Sequence, residues 1–240
     1  MPNGFMGEFL GTTILILLGN GTVANVLLKK SKGYASGWIV ITAGWGFAVL
    51  CGALIALSAG SAAHLNPAVT LAFYAAGSFP ADQIVTYLTA QFCGAFFGSV
   101  LVYLSYLSHW KETESCDDKL AVFCTIPAIR NLPANAVTEI TGTFVLVLII
   151  IALSSKAVLA SGVSGPLMVG LLVWVIGLSL GGPTGYAINP ARDLAPRFAH
   201  ALLPISGKGS SQWSYALVPL IAPVIGGLIA VGVAKSIAMI

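Results

Sequence analysis

Charged residues are scarce in this chain of 240 residues: they make up 8% of it, against about 25% in soluble globular domains. Hydrophobic residues make up 57%, and the mean hydropathy is +0.93. This composition excludes a soluble domain and predicts a protein embedded in a lipid bilayer. The formal net charge of +3 is small and gives no indication of nucleic-acid binding.

Cysteine and histidine are also few, with four and three copies, and they do not have the spacing of a metal site. The sequence lacks a nucleophile paired with a base and a glycine-rich phosphate loop, so we expect no enzyme, no metal and no cofactor. Cys51 and Cys93 lie in apolar runs, where a thiol acts as a small hydrophobic group. Cys116 and Cys124 share a polar loop, and they can form a disulfide only if that loop faces an oxidising compartment.

Long apolar runs, by contrast, fill most of the chain. A helix needs about 20 apolar residues to cross a bilayer, and a shorter run indicates a re-entrant segment. Six runs are of the spanning length, at about 5–28, 36–59, 81–107, 135–153, 164–181 and 214–237. Two further runs, near 69–77 and 194–203, are too short to cross and predict re-entrant segments.

The tripeptide Asn-Pro-Ala occurs twice, as Asn66-Pro67-Ala68 and, 123 positions later, as Asn189-Pro190-Ala191. Asparagine is among the best helix N-caps, and proline is favoured at the first helical position. Each copy therefore predicts a half-helix capped by its asparagine, with the side-chain NH2 group free to face a solute. If the two N-termini meet at the membrane midplane, they attract the oxygen of a water or an alcohol and repel cations, including hydronium. The motif thus predicts a channel for neutral solutes that blocks protons.

The two halves of the chain resemble each other beyond the tripeptide. Glu8 and Glu139 each open a Glu-x-x-Gly-Thr sequence near the start of the first and the fourth span. A polar loop, 109–133, divides the single channel domain, 1–240, into halves of three spans, about 1–108 and 134–240. Because three is odd, consecutive copies insert with opposite orientation, which predicts an inverted repeat.

The paired tripeptides, the repeated Glu-x-x-Gly-Thr and Gln91-Phe92-Cys93-Gly94-Ala95 together resemble the major intrinsic protein family, which contains the aquaporins and the glycerol facilitators. The resemblance covers essentially the whole chain. It implies an all-α membrane protein of aquaporin-like fold, with six transmembrane helices and two re-entrant half-helices in an inverted repeat. It also implies a homotetramer in the plasma membrane, with both termini in the cytoplasm.

The charge bias of the loops argues against that orientation. Nine basic residues follow spans one, three and five, whereas the opposite side holds only Lys156 and Lys235. The positive-inside rule places the larger group in the cytoplasm. Its members are Lys29, Lys30, Lys32, Lys111, Lys119, Arg130, Arg192, Arg197 and Lys208. We follow the resemblance and expect cytoplasmic termini.

Motif by motif, the chain is similar to the glycerol-conducting branch of the family. Asp193 directly follows Arg192, and Val218-Pro219-Leu220 stands where water-specific members usually have aromatic residues. By the match of the surrounding motifs, the resemblance implies a narrow selectivity filter. Its four residues are Trp45, Gly177, Tyr186 and Arg192. Water-selective members are similar except for a histidine at the position of Gly177.

The chemistry of these four residues independently fits a polyol. Gly177 leaves the filter wide, Trp45 and Tyr186 form an apolar corner for a carbon backbone, and Arg192 offers fixed donors to hydroxyl groups. The interval from Trp45 to Asn66 is one residue longer than is usual in the family, which leaves open a local bulge or a neighbour in the place of Trp45. Tyr186 replaces the usual phenylalanine and adds a hydroxyl group.

The residues before each tripeptide are expected to line the pore with backbone carbonyls. They are Ala62, Ala63 and His64 in the first half and Gly185, Tyr186 and Ala187 in the second. The family commonly has glycine at position 62, and alanine narrows the permitted backbone conformations there. The resemblance implies that Glu8 and Glu139 accept backbone N–H groups of the re-entrant segments, and that Asp193 braces the turn that aims Arg192.

We therefore expect a passive channel for glycerol, water and similar small neutral solutes. A water-selective channel is one alternative, and Gly177 and Asp193 disfavour it. An ion-coupled secondary transporter is another, since such proteins also use inverted repeats; Glu8 and Glu139 are its only candidate relay. Dihydroxyacetone, urea and protonated lactic acid remain open as solutes beside glycerol.

Overall fold

The computed structural model describes residues 2–160, 162 and 164–240, and the regular structure of this part is helical. The all-α prediction is confirmed. The described helices are α1 Pro2–Leu27, α2 Trp38–Ser58, α3 Pro67–Ala76, α4 Ile84–Ser105, α5 Cys116–Phe123, α6 Leu132–Leu153, α7 Lys156–Leu159, α8 Gly165–Leu180, α9 Pro190–Leu202 and α10 Leu217–Ser236. A 3-10 turn, Ala81–Gln83, leads into α4.

Six of these helices correspond to the six predicted spans, with bounds that differ by at most three residues. By length and composition, α1, α2, α4, α6 and α10 can each cross a membrane. The apolar helix α8 has 16 residues, about 24 Å at 1.5 Å per residue. The short helices α3 and α9 are the predicted re-entrant segments, and each begins at the proline of its tripeptide. The helix α5, inside the loop 109–133, was not predicted.

The short helices are held where the two halves of the chain meet. The helix α1 packs against α2 and α4, and α6 packs against α10. In addition, α3 contacts α10 and α9 contacts α4, so each short helix lies against a long helix of the other half.

Two close crossings depend on glycine. A Cβ atom at Gly94 would lie 2.4 Å from the carbonyl oxygen of Phe9, and one at Gly226 would lie 2.3 Å from that of Ile140. Small residues allow such close backbone approach between membrane helices. The two crossings hold α4 on α1 and α10 on α6, the helix pairs that enclose the short helices.

Candidate functional site

A cavity of about 480 Å³ runs between the long helices and past the N-termini of α3 and α9. Its lining includes Trp45 and Leu57, which are twelve residues, about 18 Å, apart along α2. The cavity is therefore elongated along the helix axes. We call one end the arginine end, lined by Trp45, Tyr186 and Arg192, and the other the phenylalanine end, lined by His64, Phe73 and Phe79.

The two tripeptides meet near the middle of this cavity. Asn66 Oδ1 caps α3 by accepting from the N–H of Ala68 at 2.9 Å, and Asn189 Oδ1 caps α9 by accepting from the N–H of Ala191 at 3.0 Å. Asn66 Nδ2 donates to the carbonyl of Ile188, and Asn189 Nδ2 donates to that of Leu65, both at 2.8 Å. The expectation that each NH2 group is free to face a solute therefore holds for only one of its two hydrogens. One hydrogen of each amide crosslinks the two segments, and one remains for a solute. Pro67, Ala68, Pro190 and Ala191 are buried behind the asparagines.

Glu8 holds the segment that precedes α3. Its carboxyl oxygens accept from the N–H groups of His64 at 2.9 Å and Leu65 at 2.7 Å. Ser61 donates its hydroxyl to Glu8 at 2.9 Å, and Gln91 donates its side-chain amide at 2.7 Å. Glu8 is fully buried and does not line the cavity. Its contacts are those of a support for the backbone.

Glu139 makes matching contacts with the segment that precedes α9. It accepts from the N–H groups of Ala187 at 2.9 Å and Ile188 at 2.8 Å. The N–H of Tyr186 donates to the hydroxyl of Thr184 at 3.3 Å. Glu139 is also buried and absent from the cavity lining. Both glutamates thus draw backbone N–H groups away from the cavity.

The carbonyl groups of the same segments remain available. Within the described residues, no hydrogen bond reaches the carbonyls of the six predicted acceptors. These residues are Ala62, Ala63, His64, Gly185, Tyr186 and Ala187. All except Gly185 line the cavity. A row of unpaired acceptors in a membrane interior needs donors from a solute or from water.

At the arginine end, the guanidinium carbon of Arg192 lies 3.9 Å from the centre of the Trp45 ring. Arg192 Nη1 also donates to the carbonyl of Phe123 at 3.4 Å, and the same carbonyl accepts from Asn20 Nδ2 at 3.3 Å. The longer interval between Trp45 and Asn66 therefore does not remove Trp45 from the cavity. Asn20 and Phe123 were missed, because nothing in their local sequence connects α1 or α5 with the tripeptides.

Gly177 acts differently from the sequence expectation. A Cβ atom there would lie 2.8 Å from Cζ of Tyr186 and 2.9 Å from a methyl carbon of Thr42, and Gly177 is absent from the cavity lining. The Tyr186 ring also lies edge-on to Trp38, with the ring centres 5.9 Å apart. Gly177 thus makes room for Tyr186 and does not itself leave open space.

Asp193 ties α9 to the loop that joins the two halves. Its oxygens accept from the N–H and the hydroxyl of Thr125 at 2.7 and 2.6 Å, and from Arg197 Nε at 2.9 Å. Asp193 and Arg197 are fully buried. Asp193 lies in the first turn of α9, directly after Arg192, so its bonds to Thr125 attach this turn to the loop. Thr125 was missed for the same reason as Phe123.

Cys116 and Cys124 do not form the disulfide that the sequence left open. Both thiols are free, Cys116 exposed and Cys124 buried. They lie at opposite ends of α5, eight residues or about 12 Å apart along the helix. A disulfide requires Cα atoms within about 7 Å.

Comparison with known proteins identifies the family. The model of the major intrinsic proteins matches residues 3–233. The chain is 57% identical over 225 residues to a probable glycerol uptake facilitator protein of Thermotoga maritima, covering 94% of this chain and 95% of the relative. It is 52% identical over 223 residues to the glycerol uptake facilitator protein of Bacillus subtilis, covering 93% and 80%. The X-ray structure of the aquaglyceroporin from Plasmodium falciparum is similar with a TM-score of 0.87 and 30% identity, covering 99% of this chain and 96% of that one.

The fold and the elongated cavity define a multi-pass membrane channel. The chain belongs to the major intrinsic protein family, which confirms the resemblance seen in the sequence. It is a channel protein and not an enzyme.

Replacing Asp193 with asparagine is expected to destabilise the protein by about 3–5 kcal/mol, because the substitution leaves the buried charge of Arg197 without its partner. The free energy of unfolding in detergent measures this. Asp82→Asn, in the exposed 3-10 turn before α4, is the matched control and should change it by less than about 0.5 kcal/mol. Equal stability of the two variants would contradict the bracing role of Asp193.

Proposed function

We propose that the protein is a passive channel for glycerol and other small neutral solutes, with water, that excludes protons and ions. The observation that carries this proposal is the mixed lining of the cavity. It combines unpaired carbonyls of the segments before α3 and α9 with apolar side chains such as Val49, Leu146 and Val173. Glycerol has hydroxyl groups on one face and a carbon chain on the other. Relatives at 57% and 52% identity carry glycerol uptake in their names.

Trp45, Gly177, Tyr186 and Arg192 serve as the selectivity filter in this proposal. Arg192 donates to solute hydroxyls with the guanidinium nitrogens that the protein leaves unpaired, while the rings of Trp45 and Tyr186 contact the carbon chain. Gly177 contributes by seating the Tyr186 ring. The filter therefore accepts a molecule with one polar and one apolar side.

Exclusion of ions follows from the charges around the cavity. The N-termini of α3 and α9 each carry roughly half a positive charge, and Arg192 adds a full one. Among the described residues, no carboxylate lines the cavity to offset them. The burial of Glu8 and Glu139 against backbone N–H groups also disfavours a proton relay and hence an ion-coupled transporter.

We further propose how the channel is assembled. The matching contacts of Glu8 and Glu139 support inverted repeats of about 1–108 and 134–240, joined by 109–133. The resemblance supports a homotetramer in the plasma membrane with cytoplasmic termini. Two of the nine basic residues that opposed this orientation, Arg192 and Arg197, lie buried in α9 and so are not loop charges.

The defining experiment is stopped-flow light scattering on proteoliposomes. A sucrose gradient should cause fast shrinkage, and a glycerol gradient should cause shrinkage followed by rapid reswelling as glycerol enters. A protonophore should leave both traces unchanged, because no proton gradient drives the flux. Shrinkage without reswelling would indicate a water-selective channel, and a protonophore-sensitive flux would indicate a coupled transporter.

Gly177→His should reduce glycerol permeability by about tenfold or more and water permeability by less than about threefold. The added side chain displaces the Tyr186 ring into the cavity, which narrows the path more severely for the larger solute. Gly182→Ala is the control, because a Cβ atom at Gly182 meets no atom within 4 Å. If Gly177→His lowers both permeabilities equally, the filter has been misplaced.

Asn189→Asp should increase proton flux by at least about tenfold. A carboxylate replaces an amide at the centre of the cavity, and a unit charge within about 4 Å contributes about 4 kcal/mol at an effective dielectric constant of about 20. Asp caps helices as well as Asn does, so α9 should still form. Asn131→Asp is the matched control, since Asn131 caps α6 in the same way but lies outside the cavity. Unchanged proton exclusion in Asn189→Asp would contradict the midplane barrier.

A further inference from the structure

The alanine at position 62, where the family resemblance gives glycine, has an unusual hydrogen-bond partner. The N–H of Ala62 donates to the hydroxyl oxygen of Tyr87 at 2.9 Å. Ala62 lines the cavity, and its carbonyl begins the row of acceptors before α3. Tyr87 belongs to α4, is 5% exposed and does not line the cavity. A side chain outside the cavity thus holds the first acceptor inside it.

In the second half of the chain, the equivalent N–H group donates to the backbone and not to a side chain. There the N–H of Gly185 donates to the backbone carbonyl of Gly181 at 2.8 Å. The other N–H groups of the two segments have matching partners. Ala63 and Tyr186 each donate to a hydroxyl group, and the N–H groups that follow them donate to Glu8 or Glu139. Among the N–H contacts of the two described segments, only the bond from Ala62 to the Tyr87 hydroxyl therefore has a different type of partner in the other half.

The ring of Tyr87 has a second role at the phenylalanine end of the cavity. Its centre lies 5.2 Å from that of His64 and 4.7 Å from that of Phe79. His64 and Phe79 are themselves 4.7 Å apart, and both line the cavity. Tyr87 thus packs its ring behind His64 and Phe79 and holds the N–H of Ala62 with its hydroxyl.

We propose that Tyr87 is a positioning residue that sets the preference for glycerol over water at the phenylalanine end. This inference rests on the proposed glycerol channel. A polyol must contact an apolar wall and several acceptors at once, so it depends on the alignment of both. A water molecule needs one acceptor at a time and tolerates a displaced Ala62 carbonyl.

Tyr87→Phe removes one oxygen atom and keeps the ring, so it tests the hydroxyl alone. Glycerol permeability should fall about three- to tenfold, the effect of one hydrogen bond of ordinary net strength, while water permeability changes less than about twofold. Tyr103→Phe is the matched control on the same helix, because the Tyr103 hydroxyl contacts Pro204 at 3.4 Å and lies outside the cavity. Both permeabilities should be unchanged in that variant.

Hydrogen exchange of the Ala62 amide gives a readout that does not depend on transport. Tyr87→Phe should accelerate this exchange about tenfold and leave the Leu65 amide, held by Glu8, unchanged. Equal losses of glycerol and water flux, or an unchanged Ala62 amide, would overturn the positioning role. If the unaltered protein conducts no glycerol, the proposed function fails, while the exchange result still decides whether Tyr87 holds Ala62.

Discussion

The pair of hydrogen bonds that crosses the middle of the cavity is the interaction on which the rest of the site depends. Two helix N-termini that face each other repel, since each carries a partial positive charge. The bonds from Asn66 to Ile188 and from Asn189 to Leu65 hold them together. Because each bond uses a carbonyl of the opposite segment, the two segments must lie side by side. Their other carbonyls then face a common space.

That arrangement is costly in a membrane unless every backbone N–H group has a partner. Glu8 and Glu139 supply four of the acceptors from within long helices. They reach the segments because α1 and α6 lie close to their neighbours, through the glycine crossings at Gly94 and Gly226. The glycine residues at these crossings therefore support the site as well as the packing of the long helices. They bring buried carboxyl groups within hydrogen-bond distance of irregular backbone.

The sequence predicted those features that depend on local chemistry. The caps of α3 and α9 follow from Asn and Pro, and the long helices follow from hydropathy. The observed helix ends differ from the predicted ones by up to three residues, because caps such as Asn131 determine where a helix begins. It did not predict α5, the free thiols beside it, or the contacts of Phe123 and Thr125. These depend on where a connecting loop folds back, for which composition carries no signal. The role of Gly177 was missed because an absent side chain does not reveal which neighbour fills its place.

The two ends of the cavity are built differently, although their central segments match. The arginine end has a fixed charge, braced by the buried pair Asp193 and Arg197. The phenylalanine end is lined by the rings of His64, Phe73 and Phe79. A passive channel cannot use this difference to drive net flux, because the direction of flux follows the solute gradient alone. The asymmetry can act only on which solutes pass. Charge rejection needs only a local barrier, which the helix N-termini supply at the middle of the cavity and Arg192 at the arginine end. Recognition of a carbon chain beside its hydroxyl groups has to continue along the whole path, which explains why backbone carbonyls and apolar walls extend to both ends.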